Sequence, residues 1–224
     1  MHRRMSTFDK KPPHLETPAH AENTESLLLE RLEHSQSEAD HFRWLLFVVG
    51  FYRGIQKVDA ATTLLQRFIE KSHNDEQKAH CHLTLGQIAT DEQRFEAALG
   101  HFKTALRLQP EQKKIAYVLQ NNTAYCLNML GCYAEGERHC RMAIEINWTR
   151  ASGYRNLGVS LKGQGKILEA VWALVEAAKL DVSDERARLM LRTLIEENSN
   201  LAVQCPWAVE GLIPIVASES MPIN

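Results

Sequence analysis

Histidine and cysteine side chains, which could bind a metal ion, are numerous in this chain. It contains ten histidines and five cysteines, and the densest group is His80, Cys81 and His82, with His101 nearby. Adjacent residues of a helix point in different directions, whereas a metal ion needs ligands that converge from three or four sides. The spacing is therefore a poor match to a metal site, and we expect no metal and no cofactor.

Groups that could catalyse acyl or phosphoryl transfer are not arranged as those reactions require. Nucleophilic catalysis needs a serine or cysteine with a base within reach, and phosphate binding usually needs a glycine-rich loop. Gly163 and Gly165 fall instead in a predicted turn between helices. Glu96, Glu135 and Glu169 recur in phase, which is typical of solvated helix starts. We expect no catalytic residues and no enzymatic activity.

The charge balance argues against nucleic acid as a partner. The chain has 26 basic and 28 acidic residues and a formal net charge of -2, so it produces no long-range field that attracts a polyanion. Its basic clusters, His2 to Arg4 and Lys10 to Lys11, fall in a segment that mixes charge and proline without a period. Residues 1–20 are therefore predicted to be a disordered N-terminal arm.

Membrane insertion and secretion are not expected either. The apolar run from Trp44 to Tyr52 has nine residues, whereas a spanning helix needs roughly twenty. The first twenty residues contain no apolar segment of a secretory signal. The five cysteines include no CxxC pair, and in helical repeats cysteine commonly fills a small apolar position. We predict a cytoplasmic protein whose thiols serve packing rather than a disulfide framework.

Small residues recur along the chain at fixed intervals. Within each set the spacing is twelve and then seven residues, and the second set leads into the third after thirty-four. The sets are Gly86, Ala98 and Ala105; Ala124, Gly136 and Ala143; and Gly158, Ala170 and Ala177. A period of this size is typical of stacked helical hairpins, in which small side chains lie where two helices cross closely.

With its flanking large residues, this pattern resembles the tetratricopeptide repeat (TPR), a helix-turn-helix unit of thirty-four residues. The matching segments run from Leu85-Gly86 to Pro110, from Thr123-Ala124 to Trp148 and from Leu157-Gly158 to Val182. A more degenerate copy beginning at His41 precedes them. The resemblance implies an all-α fold, a right-handed superhelical stack of antiparallel helix pairs (a TPR α-solenoid) with terminal capping helices.

The phase of the repeats predicts the division of the chain. A TPR domain covers residues 21–198, and an apolar C-terminal tail covers 199–224. The domain consists of a capping helix over 21–37, repeats over 41–74, 79–112, 117–150 and 151–184, and a second capping helix over 185–198. Asp75 to Lys78 and Lys113 to Ala116 are four-residue extensions, each about one helical turn at the front of the following helix.

In this architecture the first helix of each repeat lines a concave groove, whose residues are separate from those that hold the stack together. The groove residues expected from the repeat phase are His80, Leu83, Thr84, Gln87, Thr90, Asn121, Asn122, Tyr125, Asn128, Ser152, Arg155, Asn156, Val159 and Lys162. Side-chain amides can bond both groups of a peptide backbone, and Arg155 and Lys162 supply positive charge.

Asn122 and Asn156 occupy the same repeat position, which is similar to the asparagine ladder with which some TPR proteins hold a peptide backbone. Thr84 stands at that position in the preceding repeat. The carboxylate clamp of chaperone-binding TPR proteins is matched poorly, because Leu45 and Val49 occupy its first-repeat positions. A heat-shock-protein tail is therefore not the expected ligand.

The sequence thus predicts a non-enzymatic adaptor, scaffold or chaperone-like module that binds an extended peptide segment in the concave groove. The peptide is expected to be acidic or to end in a free carboxylate. In the alternative interpretation the chain is a self-assembling structural scaffold, whose groove or convex face is occupied by its own tail or by another protomer. Residues 199–224 could then dock on the last helices, insert in the groove or join protomers in a homo-oligomer.

Overall fold

The computed structural model of the chain describes residues 18–198 and 200–208. Most of the predicted N-terminal arm, and the tail beyond residue 208, lie outside these residues. The helices are α1 (Pro18–Glu33), α2 (Glu38–Gly54), α3 (Val58–Lys71), α4 (Asp75–Asp91), α5 (Phe95–Arg107), α6 (Lys113–Met129), α7 (Tyr133–Ile146), α8 (Ala151–Gly163), α9 (Ile167–Leu180), α10 (Glu185–Glu197) and α11 (Leu201–Gln204), followed by a 3₁₀ helix (Pro206–Ala208).

The helices pack as four consecutive hairpins. α2 pairs with α3, α4 with α5, α6 with α7 and α8 with α9, and each hairpin packs against the next. α1 packs against α2 at one end and α10 against α9 at the other. The described residues contain no strand. The predicted fold class, an all-α stack of antiparallel helix pairs with an additional helix at each end, is confirmed.

The first helices of the hairpins differ in length. α4 and α6 have 17 residues each and begin at Asp75 and Lys113, at the start of the two predicted extensions. α8 has 13 residues and begins at Ala151 without an extension. The Asn74 side chain accepts a hydrogen bond of 3.0 Å from the main-chain N–H of Gln77, which caps the lengthened α4.

The turn inside each hairpin has the same backbone geometry. One residue has a positive φ, and the next residue donates a main-chain hydrogen bond back across the last helical turn, as in a Schellman motif. The residues with positive φ are Gln56 (64°), Gln93 (61°), Gly131 (77°) and Gly165 (74°). Only two of the four turns therefore contain the glycine that this conformation favours.

The small residues of the sequence pattern lie where paired helices cross. A Cβ atom added at Gly86 would lie 2.6 Å from Phe102 Cδ1, and one at Gly158 would lie 2.7 Å from Leu174 Cγ. Phe102 is fully buried and Leu174 is 2% exposed. The absence of a side chain at each glycine is thus what lets the large residue of the second helix fill the crossing.

The cysteines are free thiols, and all but Cys132 are buried. Burial raises the pKa of Cys81 to about 12. Burial is also the main cause that raises the pKa of Cys140 to about 12. At these pKa values both thiols stay protonated near neutral pH, and the thiolate, which is the reactive form, does not form. The two side chains therefore pack as small apolar groups.

Candidate functional site: the concave groove

A concave groove runs across the first helices of the hairpins and reaches α10. It encloses about 360 Å³ and receives residues from α2, α4, α6, α8 and α10. The lining residues are Arg53, Gln87, Thr90, Asp91, Asn121, Asn122, Tyr125, Asn128, Met129, Arg155, Asn156, Val159, Arg186 and Met190. Stacking the hairpins therefore brings one face of five helices together, which no single repeat could supply.

The structure brings many of the residues expected from the repeat phase to this groove. Those that line it are Gln87, Thr90, Asn121, Asn122, Tyr125, Asn128, Arg155, Asn156 and Val159. His80, Leu83, Thr84, Ser152 and Lys162 are not among its lining residues.

The residues placed elsewhere have partners that explain their positions. Leu83 and Thr84 are 5% and 7% exposed, and Leu83 packs in the core between the second and third hairpins. His80 lies edge-on to the Phe42 ring at 5.5 Å. Lys162 forms an ion pair of 2.7 Å with Glu197 of α10. Leu83 therefore packs between helices and does not line this groove.

Two asparagines of the groove are engaged by the neighbouring helix. Asn128 Nδ2 donates to the main-chain oxygen of Asn156 at 3.0 Å, and Asn128 Oδ1 accepts from Ser160 Oγ at 2.8 Å. Asn156 Nδ2 donates to Asn121 Oδ1 at 3.0 Å. Asn128 and Asn156 are 6% and 9% exposed. These bonds join α6 to α8, so the two side chains contribute to the stack itself.

Arg155 is likewise paired within the chain. It forms an ion pair with Asp184, the residue that caps α10, and both side chains are largely buried. Arg186 also binds this carboxylate, through Nε at 2.7 Å and Nη2 at 2.8 Å. Although burial opposes ionisation, the hydrogen bonds from Arg186 and the charge of Arg155 lower the pKa of Asp184. One carboxylate therefore orients two guanidinium groups at this end of the groove.

Several lining residues were not predicted from the sequence. Arg53 and Asp91 form an ion pair of 2.9 Å between α2 and α4, and Asp91 adds an acid to the groove, whose predicted residues include none. They lie thirty-eight residues apart, the same spacing as the first two repeat starts, which is a signal that could have found them. Met129 occupies the next equivalent position and is 50% exposed.

Two amide side chains of the groove remain available for a ligand. Among the described residues, Gln87 and Asn122 take part in no side-chain hydrogen bond within the chain, and both are partly exposed. They lie on consecutive first helices, α4 and α6. Tyr125, which follows Asn122 on α6, also lines the groove and contacts the Phe95 ring edge-on at 6.2 Å. An amide offers both donors and an acceptor, which suits the peptide backbone of a bound segment.

His82, His101 and His139 each lie close to a polar side chain of their own hairpin. His82 Nδ1 lies 3.3 Å from His101 Nδ1, and His139 Nδ1 lies 2.6 Å from Gln120 Oε1. Burial lowers the pKa of His82 and of His101, and the charge of His101 lowers the pKa of His82 further. Within residues 18–198 and 200–208, no three His, Cys, Asp or Glu side chains form a group that could hold a metal ion.

No helix in the same residues has both the length and the apolar character needed to cross a membrane.

Curated proteins similar to this chain contain tetratricopeptide repeats. No protein-family model matches the chain. A TPR repeat-containing protein of Arabidopsis thaliana is 33% identical over 118 residues, covering 49% of this chain and 14% of that protein. The Hsp70-Hsp90 organizing protein of Triticum aestivum is 32% identical over 100 residues, covering 45% and 16%. The chain thus spans a small part of the length of these relatives.

Solved structures share the fold over most of the chain. BtubC (BKLC) from P. vanneervenii superposes with a TM-score of 0.69 and 14% identity, covering 91% of this chain and 95% of that one. A double mutant of MamA RS-1 superposes with a TM-score of 0.61 and 15% identity, covering 76% and 93%. At these identities the likeness concerns the fold alone.

Proposed function

We propose that this chain, a helical repeat stack similar to tetratricopeptide-repeat proteins, binds an extended segment of a partner protein in the concave groove. The observation that carries the proposal is the pair Gln87 and Asn122, whose amides face the groove without a hydrogen-bond partner among the described residues. An extended segment has unpaired backbone N–H and C=O groups on either side, and such groups bind amides well. Such binding makes and breaks no covalent bond, so the proposed function is that of a non-enzymatic interaction module.

The charge of the groove favours a segment with an acidic group. Three arginines line the groove, Arg53, Arg155 and Arg186, whereas Asp91 is the one acid among its lining residues. Two of the arginines meet at Asp184, so the positive charge concentrates beside α10. We infer that an acidic side chain or a terminal carboxylate of the segment binds at this end.

The wheat relative, named Hsp70-Hsp90 organizing protein, raises the question of a chaperone tail as the ligand. Carboxylate-clamp binding requires basic and amide side chains on the first repeat, where this chain has Leu45 and Val49. Both are 2% exposed and pack in the core of the first hairpin. The proposal is therefore a protein segment held by α4, α6, α8 and α10 rather than by the clamp positions.

Partner capture with matched baits tests the proposal. The baits are the wild-type protein, the variants Gln87→Ala and Asn122→Ala, their combination, and Gln66→Ala as a control that removes an exposed amide from α3. Bound proteins are identified by mass spectrometry, and synthetic segments of each candidate are then titrated by calorimetry. We expect the double variant to lose the partner that wild type and Gln66→Ala retain. Capture of the same proteins by all baits would refute groove binding, and capture of this chain alone would favour self-assembly.

A further inference from the structure

The last hairpin has an apolar outer face that the other hairpins do not have. Leu168 and Trp172, four residues apart on α9, are 53% and 47% exposed. Their side chains form one stripe, because residues four apart lie on the same face of a helix. The equivalent positions are Ala134 and Arg138 in α7, and Glu96 and Gly100 in α5. The apolar stripe is therefore a feature of α9 and not of the repeat.

The Trp172 ring packs against an aromatic ring of the preceding helix. It contacts the Tyr154 ring of α8 edge-on, with centroids 6.0 Å apart. Nearly half of the tryptophan nevertheless stays exposed to solvent. An aromatic side chain that is already packed on a neighbouring ring loses little conformational entropy when an apolar side chain binds to it.

The last described residues of the chain pack against α9, the helix that carries this stripe. The 3₁₀ helix Pro206–Ala208 packs against α9, and Ala208 is fully buried. Ala208 shares one buried cluster with Val171 and Val175 of α9, the residues next to the stripe along the helix. Leu201 and Cys205, which precede it, are each 4% exposed in the same cluster. The last described residue, Ala208, therefore lies against α9, the helix that carries the stripe.

The sequence that follows is apolar and long enough to cover the stripe. Residues 209–216 read Val-Glu-Gly-Leu-Ile-Pro-Ile-Val. Eight extended residues reach about 26 Å, whereas the 14 residues of α9 span about 21 Å. Contact between the segment and the helix would remove apolar surface of both from water, which is favourable.

We propose that residues 209–216 pack along α9 over Leu168 and Trp172, so that the C-terminal segment closes the outer face of the last hairpin. The contact is intramolecular and leaves the concave groove open, so it is independent of the proposed groove function. Apolar side chains of the segment cover the indole, and the tether at Ala208 raises their local concentration above that of any competing chain.

Limited proteolysis with thermolysin, which cleaves before large aliphatic residues, tests the contact in the full-length protein. The test variant is Leu168→Ala/Trp172→Arg, which gives α9 the residues that α7 carries. The control is Trp148→Arg, which removes another exposed tryptophan from the turn before α8. Cleavage within 209–216, followed by intact mass, is expected to be at least tenfold faster in the double variant than in wild type and the control.

Equal cleavage rates in the three proteins would overturn the proposal. Protection that grows with protein concentration would also overturn it, since a second copy would then cover the face. Acrylamide quenching of a variant that keeps Trp172 as its only tryptophan gives an independent measurement. Removal of residues 209–224 should raise the quenching constant of Trp172 at least twofold, and an unchanged constant would count against the contact.

Discussion

Asn128 Nδ2 donates a 3.0 Å hydrogen bond to the main-chain oxygen of Asn156, and this bond joins the first helices of two neighbouring hairpins. Both residues line the groove, yet both are more than nine-tenths buried. Ser160 completes the junction through its 2.8 Å bond to Asn128 Oδ1. The polar residues of the groove therefore divide into those that hold the stack and those that can meet a ligand.

This division predicts that two asparagine variants differ in how much stability they lose. Asn128→Ala removes the donor to Asn156 and the acceptor for Ser160 in a buried site, and is expected to cost about 1–3 kcal/mol of unfolding free energy. Asn122→Ala removes a partly exposed amide and should change stability by less than about 0.5 kcal/mol. Urea denaturation followed by circular dichroism measures both. Equal midpoints for the two variants would contradict the division.

The crossing of α4 and α5 predicts a strong dependence on side-chain size at Gly86. Gly86→Ala places a methyl group 2.6 Å from Phe102 Cδ1 in a fully buried site, so overpacking should cost about 1–3 kcal/mol. Gly100→Ala is the matched control, because nothing lies within 4 Å of its added Cβ. It should stabilise α5 by about 0.5–1 kcal/mol. Thermal unfolding measures both variants, and a Gly86→Ala protein as stable as wild type would show that the crossing tolerates a methyl group.

Second-site variation offers a further check of this crossing. Gly86 faces Phe102 and Gly158 faces Leu174, whereas Ala124 shares a buried cluster with the smaller Cys140. The chain thus compensates volume across the same pair of positions in three repeats. Adding Phe102→Leu to Gly86→Ala should therefore recover part of the lost stability, and no recovery would place the strain elsewhere.

The hairpins could be predicted from the sequence because their crossings require small residues at fixed intervals. At Gly86 and Gly158 the large side chain of the second helix occupies the space that a Cβ atom would need, so the spacing of these glycines encodes the stack directly. The early starts of α4 and α6 could be predicted from the same register. Inserting four residues before Ala79 shifts the phase by about one helical turn without disturbing the face that packs.

The groove residues could be predicted only in part, because the repeat phase gives the side of the helix but not the partner of a side chain. Asn156 occupies a groove position, yet its amide is bonded to Asn121 of the preceding repeat. Lys162 is paired with Glu197 in a helix beyond the repeats. Such pairings depend on the lateral distance between helices, which a one-dimensional pattern does not contain.

The turn between α4 and α5 predicts a stabilising substitution. Gln93 is exposed and has a φ of 61°, a conformation that costs a residue with a side chain about 1–2 kcal/mol. Gln93→Gly should therefore raise the unfolding free energy by about 0.5–1 kcal/mol, after allowing for the added freedom of the unfolded chain. Gly165→Ala, at the equivalent turn with a φ of 74°, should lower stability by about 1 kcal/mol. Calorimetric melting temperatures that move in the same direction would be inconsistent with this geometry.

The lowered pKa of Glu137 on α7 predicts that the folded protein loses stability in acid. Burial opposes its ionisation, but hydrogen bonds from Lys166, Gln164 and Arg141 outweigh burial and lower the pKa of Glu137 to about 2 from 4.5. The folded state therefore favours the charged carboxylate, and its contribution is complete above about pH 4.5 and is lost as the pH falls towards 2. Because Lys166 and Gln164 belong to the turn after α8, this loss loosens the junction between the last two hairpins.

The variant Glu137→Gln isolates this contribution. It keeps the shape of the side chain but not the charge, so it should be about 1–3 kcal/mol less stable than wild type at pH 7. The difference should shrink steadily below pH 4.5, as wild-type Glu137 becomes protonated and loses its advantage. Glu135→Gln, which removes the charge of a carboxylate with a side chain 40% exposed, serves as the control and should change stability little at any pH.

Urea unfolding at intervals of half a pH unit from pH 7 to pH 3 gives the difference in unfolding free energy directly. A gap between wild type and Glu137→Gln that stayed constant with pH would mean that the charge of Glu137 does not stabilise the junction.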